Sequence, residues 1–293
     1  MLIGAKTGSR GCEKPLLFFG RKTMKYRYIS DSHVHSDCSR DGVDPTMMMC
    51  ESGARLGLYS MTMTDHCECN AYTSEFYDRS IRQSYFEARK AAAVFRDRLT
   101  IYAGVELGQP MQDVSAAEAA LDACDFDFVL ASVHNVKNMS DFFELDYTQH
   151  DVFDVLNLYF DEIMDMIAWG RFDSLSHLTY PWRYIVGEHG IPVRDELYRD
   201  RIDQVLKALI RKRKALEVNT SGLRQKLGKT MPDLTVLQRY HELGGRLVTL
   251  GSDAHRWADV GGGIESGLEL LRRAKFTHFC IYSHHEAVYL PIE

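Results

Sequence analysis

Long hydrophobic runs are missing from this chain: every apolar stretch is broken by Asp, Arg or His well short of the about 18 residues that read as a membrane span. That excludes a membrane-spanning helix. Positive charge is also in deficit, with 35 Lys and Arg against 41 Asp and Glu and a formal net charge of -6. A protein that holds nucleic acid mainly by neutralising phosphates is therefore not expected, while a small anionic metabolite is compatible. The seven cysteines, at positions 12, 38, 50, 67, 69, 124 and 280, are odd in number and form no framework. This points to a reducing, cytoplasmic setting rather than a disulfide-stapled secreted fold. Prolines number only seven, and there is no low-complexity linker or fixed-period repeat, so a single domain is expected. No Gly-rich loop follows the first apolar run, which counts against a dinucleotide-binding fold.

What is present is enough apolar sequence for a large core: 293 residues, 45% hydrophobic and 26% charged. Residues 1–23 are basic and Gly-rich, and their one apolar run, Pro15 to Phe19, is too short for a secretory signal. They read as a non-native or disordered extension ahead of one domain over 24–293. From Tyr28 onward, β-rich runs alternate with helical periodicity. The expected strands are 28–33, 60–66, 99–107, 126–134, 172–177, 214–220, 246–253 and 276–283, and helices are expected over 80–98, 151–169 and 195–212. In the second helical segment Val152, Leu156, Tyr159, Ile163 and Ile167 share one face. Repeated βα units with apolar strands predict an α/β fold with a closed parallel barrel, the open doubly wound sheet being the runner-up. The irregular stretches 68–78 and 137–150 are long enough to cover a site.

The polar residues that close these runs carry the chemistry. The first run leads into Asp31-Ser-His33-Val-His35, and others end at Asp65-His66, Glu106, His134, His177 and Asp253-Ala-His255. At period two, the imidazoles of a His-x-His pair point to the same side of a strand. In a parallel barrel all strand C-termini open on one face, so these six run ends converge. A single histidine after a strand is ordinarily a loop residue or a satisfied half-buried one. Six in phase call for a metal cluster, and Glu106 in its apolar run calls for a cation. Six histidines (33, 35, 66, 134, 177, 255) with Asp41, Glu106 and Asp253 exceed one tetrahedral ion. They suit two or three divalent transition ions (Zn, Mn or Fe) sharing a carboxylate and a water, and such a site performs hydrolysis.

These motifs resemble the PHP family, the polymerase and histidinol phosphatase superfamily: Asp31-Ser-His33-Val-His35 through Asp41-Gly42, Thr64-Asp65-His66, Ser132-Val-His134, and Gly251-Ser-Asp253-Ala-His255. Ser176 to Pro181 and Glu217 to Arg224 resemble its histidinol-phosphate phosphatase branch. The resemblance implies a distorted (β/α)7 TIM-like barrel with a trinuclear centre on its C-terminal face. It implies that His33, His35, Glu106 and Asp253 hold one ion, Glu106, His134 and His177 a second, and Asp41, His66 and His255 a third. Glu106, Asp253 and His255 are also read as catalytic, and the implied activity is hydrolysis of L-histidinol phosphate in histidine biosynthesis.

Competing functions are a phosphoesterase for nucleotides or oligonucleotides and, from another class, a non-catalytic metal-binding module. A phosphomonoester dianion wants bidentate donors in addition to metal. Arg183 and Arg224 are placed for that, whereas no basic track interleaved with aromatics is seen. The partner expected is therefore a small phosphomonoester, with neither nucleic acid nor membrane. Asp31 and Asp65 are expected to orient imidazoles. Cys67 and Cys69 read as buried thiols rather than ligands, and Tyr180, Trp182 and Trp257 are candidates for pocket walls.

Overall fold

The structure, a computed structural model, describes residues 25–293; the expected extension 1–23 lies outside the described residues. Among the described residues, ten strands and eight α-helical segments follow one another as β1 (Ser30–Val34), α1 (Thr46–Leu56), β2 (Ser60–Met63), β3 (His66–Glu68), α2 (Tyr77–Phe95), β4 (Thr100–Gly108), α3 (Val114–Ala123), β5 (Phe128–Ser132), α4 (Val152–Trp169), β6 (Ser174–Leu175), α5 (Tyr180–Trp182), α6 (Arg199–Lys212), β7 (Ala215–Asn219), α7 (Leu234–Glu242), β8 (Val248–Gly251), α8 (Ile264–Arg273), β9 (His278–Ser283) and β10 (Glu286–Pro291). The parallel order is β1-β2-β4-β5-β6-β7-β8, with β3 continuing the line of β2 along β4. The sheet closes on itself through the parallel bridge Val34–Ala254. It is the expected barrel, with helices outside.

The helices form where apolar spacing and caps agree. Asp151 caps α4 by accepting from the Phe153 and Asp154 amides, and left-handed Gly170 (φ 75°) ends it. Leu156, Tyr159, Ile163 and Ile167 face the core as expected, and Val152 is half-buried. Two departures affect the site. The second expected run splits at Thr64-Asp65, so His66 begins a separate short strand paired with Glu106, and Glu68 belongs to that strand rather than to a loop. The eighth run, β9, pairs antiparallel with β10 instead of joining the barrel. Its Cys280 and Tyr282 pack on Phe128, Leu130 and Ala215, and the His285 amide donates to the Asp127 carbonyl. The hairpin thus closes the end of the barrel where the strands begin, leaving the other end for chemistry.

Candidate metal centre

The strand C-termini deliver the expected side chains to one place. His33 lies within β1 and His35 just beyond it, His66 opens β3, and Glu106 lies near the end of β4. His134, His177, Asp253 and His255 follow β5, β6 and β8 by a few residues. Glu106, with 0% of its surface exposed, is the hub. Its Oε1 lies 2.9 Å from His177 Nε2 and 3.3 Å from His134 Nε2. Its Oε2 lies 3.0 Å from His66 Nδ1, 3.2 Å from His33 Nε2 and 3.4 Å from His35 Nε2. Asp253 Oδ1 stands 3.7 and 3.6 Å from His33 and His35 Nε2. At the outer edge, Asp41 reaches His255 Nε2 at 3.1 Å and His66 Nε2 at 3.6 Å.

These contacts fit metal ions better than protons. His33 and His35 direct their Nε2 atoms at each other at 2.9 Å, as do His134 and His177 at 3.3 Å, so that with neutral rings each pair brings at least one imidazole lone pair into the cluster. His66 Nδ1 and His255 Nε2 are buried and form no properly directed hydrogen bond, although carboxylate oxygens stand 3.0 and 3.1 Å away. Short distance without hydrogen-bond direction is what two ligands of one ion show. His33–His35–Asp253, His35–His66–His255 and His66–Glu106–His134 each bring their donor atoms within 4.8 Å of one another. Nitrogen with carboxylate oxygen is the donor chemistry of transition ions rather than Ca or Mg.

The buried carboxylates of the cluster are matched by positive charge. Burial alone would push Glu106 up, but the charges of His33, His134 and His66 hold it well below the usual carboxylate range. Asp253 likewise resists burial and is held well down by His33, Arg183, His255 and His35. His35 is driven well below the ordinary imidazole value by burial and by its neighbours His255, His66 and His33, leaving its lone pair available.

The two arginines flank Asp253. Buried Arg183 donates from Nη2 to Asp253 Oδ2 (2.9 Å) and Ser221 Oγ (2.5 Å), with its guanidinium 4.9 Å from the Tyr180 ring centre. Arg224 donates from Nη2 to the Ser252 and Asp253 carbonyls at 2.8 and 3.3 Å, and from Nη1 to that of Gly262. Tyr180 lies against His177 (4.6 Å between ring centres) and forms a wall. Trp182 instead packs into the core by Phe160 and Tyr198, and Trp257 is half exposed. Cys67 and Cys69 are fully buried; Cys67 alternates with His66 and Glu68 along β3 and so faces away from them.

Asp31 and Asp65 do not touch imidazole nitrogens. Asp31 accepts from Ser252 and from the Gly261 amide. Asp65 accepts from Ser36, Ser39 and Ser84 and reaches an imidazole only through Ser39, whose Oγ stands 3.1 Å from His35 Nδ1. Direct contacts of the expected kind come from two carboxylates that sequence reasoning passed over. Glu68 accepts from His134 Nδ1 (3.0 Å) and Gln109 Nε2 (2.5 Å), and Glu217 accepts from His33 Nδ1 (2.8 Å). Two glycines were their available signal. A Cβ at Gly108 would stand 2.2 Å from Glu68 Oε2, and one at Gly251 2.2 Å from Glu217 Oε1.

A parallel barrel that gathers histidines and carboxylates at its strand C-termini defines a metal-dependent barrel protein. The chain belongs to the PHP domain family, whose profile matches residues 31–221. Among its relatives, a probable histidinol-phosphatase of Thermotoga maritima is 29% identical over 253 residues, covering 86% of this chain and 94% of that protein. A histidinol-phosphatase of Lactococcus lactis subsp. lactis is 27% identical over 258 residues, again covering 86% and 94%. The crystal structure of histidinol phosphate phosphatase from Lactococcus lactis subsp. lactis, complexed with Zn, L-histidinol and phosphate, superposes with a TM-score of 0.74 at 24% identity, covering 88% of this chain and 98% of that one. Among the described residues, no helix is long and apolar enough to cross a membrane.

Proposed function

We propose that this chain is a metal-dependent phosphomonoesterase that hydrolyses L-histidinol phosphate to L-histidinol and phosphate. The observation that carries the hydrolytic part is the division of Glu106: one oxygen faces His134 and His177, the other His33, His35 and His66. A bridging carboxylate between ion sites has this form. The names of the relatives above, and the ligands of the Lactococcus enzyme, support the substrate.

In this reading two or three divalent ions (Zn, Mn or Fe) are held by His33, His35, Glu106 and Asp253, by Glu106, His134 and His177, and by Asp41, His66 and His255. When bound, such ions supply Lewis acidity that makes water nucleophilic at neutral pH and offsets charge on phosphoryl oxygens. The chain's own contribution is placement. Arg183 and Arg224, on either side of Asp253, receive the phosphoryl oxygens and orient the ester for in-line displacement. Asp253 balances Arg183 before substrate arrives. Asp41, with 61% of its side chain exposed, and His255 lie at the open edge, where the alcohol departs.

The test is phosphate release across metabolite phosphomonoesters, histidinol phosphate and nucleotides included, with Zn, Mn and Fe varied. The highest kcat/KM is expected for histidinol phosphate, and a preference for nucleotides would overturn the substrate assignment.

A further inference from the structure

Glu217 lies in the middle of β7, in the apolar run Ala215-Leu216-Glu217-Val218, and is 1% exposed. Such a carboxylate is retained only where it is fully hydrogen-bonded. Its two oxygens serve two different strands. Oε1 accepts from His33 Nδ1 at 2.8 Å; Oε2 accepts from the His177 amide at 2.7 Å, from Ser176 Oγ at 3.2 Å and from Asn219 Nδ2 at 3.2 Å. His33 and His177 stand on opposite sides of Glu106, one facing each of its oxygens.

We propose that Glu217 is a positioning residue which clamps the β1 and β6 ligands to one anion and fixes the tautomer of His33, so that His33 Nε2 always presents a lone pair to the ion site. Because a carboxylate has no proton to donate, the hydrogen between Glu217 and His33 belongs to Nδ1, and Nε2 is left bare. A glutamine here cannot do the same. With its carbonyl towards the His177 amide, its NH2 meets His33 Nδ1 and forces the proton to Nε2; flipped, its NH2 confronts the amide N–H donor. Either orientation breaks one end of the clamp. Gly251 gives the arrangement its space, since a Cβ there would fall 2.2 Å from Glu217 Oε1 and 2.4 Å from His33 Cβ.

The inference rests on the metal-centre reading but not on the substrate. Metal-free wild type, Glu217→Gln and Glu217→Asp are titrated with Zn2+ and Mn2+ by calorimetry, with circular dichroism as the control for folding. The expected result is a 10- to 100-fold weaker affinity for Glu217→Gln with native ellipticity, and a smaller loss for Glu217→Asp, which keeps the charge but not the reach. Wild type that binds no ion would overturn the metal centre itself. Wild type that binds, with Glu217→Gln binding equally well, would overturn only the clamp. Independently of any variant, long-range 1H–15N spectra of the Zn-loaded wild type should show His33 protonated at Nδ1, and a proton on Nε2 would refute the proposal.

Discussion

Arg183→Lys separates a phosphate-binding guanidinium from a structural one. The Arg183 side chain is 10% exposed, and Nη2 is committed to Asp253 and Ser221, while Nε is buried with no hydrogen-bond partner. A planar fork anchored through Nη2 on a carboxylate of the site, with Nη1 outside any protein hydrogen bond, is pre-oriented for an anion arriving beside Asp253. Lysine keeps the charge and can keep the Asp253 contact, but it has no second donor in the same plane. Loss of one hydrogen bond to a charged phosphoryl oxygen corresponds to about 1.5–3 kcal/mol, which at about 1.36 kcal/mol per decade is roughly a 10- to 150-fold fall in kcat/KM. The assay is steady-state phosphate release from histidinol phosphate at saturating metal, with bound metal measured on the same preparation. Wild-type kcat/KM with full metal occupancy would refute the argument. A fall matched by loss of metal would refute it too, because Arg183 would then act only by holding Asp253.

Arg224→Lys in the same assay should also lower kcat/KM, by about 1–3 kcal/mol of transition-state binding without emptying the metal sites; wild-type turnover would leave Arg224 as a brace on the Ser252–Gly262 carbonyls. Glu106→Gln should lose bound metal and at least about 100-fold in kcat/KM while far-UV circular dichroism stays native; full occupancy would remove Glu106 from the centre. Gly251→Ala should destabilise the fold by about 1–3 kcal/mol and weaken metal affinity, and unchanged thermal unfolding would show that Glu217 and His33 can move aside. His285, on the closing hairpin, has its pKa raised by its hydrogen bond to Asp173. Its stabilisation is therefore present below the ordinary imidazole value and lost as pH rises through the raised one. With half its side chain exposed, the effect is under about 1 kcal/mol, a Tm difference from His285→Ala of about 1–2 °C that shrinks as pH rises; a difference that grows would contradict the sign.

The convergence of the strand-end side chains was legible because parallel topology turns a one-dimensional rule, polar residue after apolar run, into a shared location. His66 was found this way even though its run breaks at Thr64-Asp65, because β3 keeps the register of β2 along β4. Glu68 was not legible because it sits between Cys67 and Cys69, in a stretch that reads as irregular and whose thiols are the more conspicuous groups. Glu217 escaped because no histidine neighbours it in sequence, although the reasoning that singled out Glu106, a carboxylate in an apolar run, applies to it equally. The β9–β10 hairpin was illegible for a conformational reason. Its two-residue turn is His284-His285, both left-handed (φ 50° and 63°), where Asn-Gly or Asp-Gly is the recognisable signal.

The barrel closes at β1 and β8, and the joint is slight: the bridge Val34–Ala254, with the His35 amide donating to Ala254 O and the Asp253 amide to His33 O. His33 and His35 stand on one lip of this seam, Asp253 and His255 on the other. An ion held between them would be a rivet through the last joint of the cylinder, and the atoms proposed to serve chemistry would then also decide whether the wall holds shut. Chelation should then speed amide exchange first at 33–35 and 252–255, ahead of β4 and β5 on the far wall, and metal uptake by refolding protein becomes a count of molecules whose cylinder has closed.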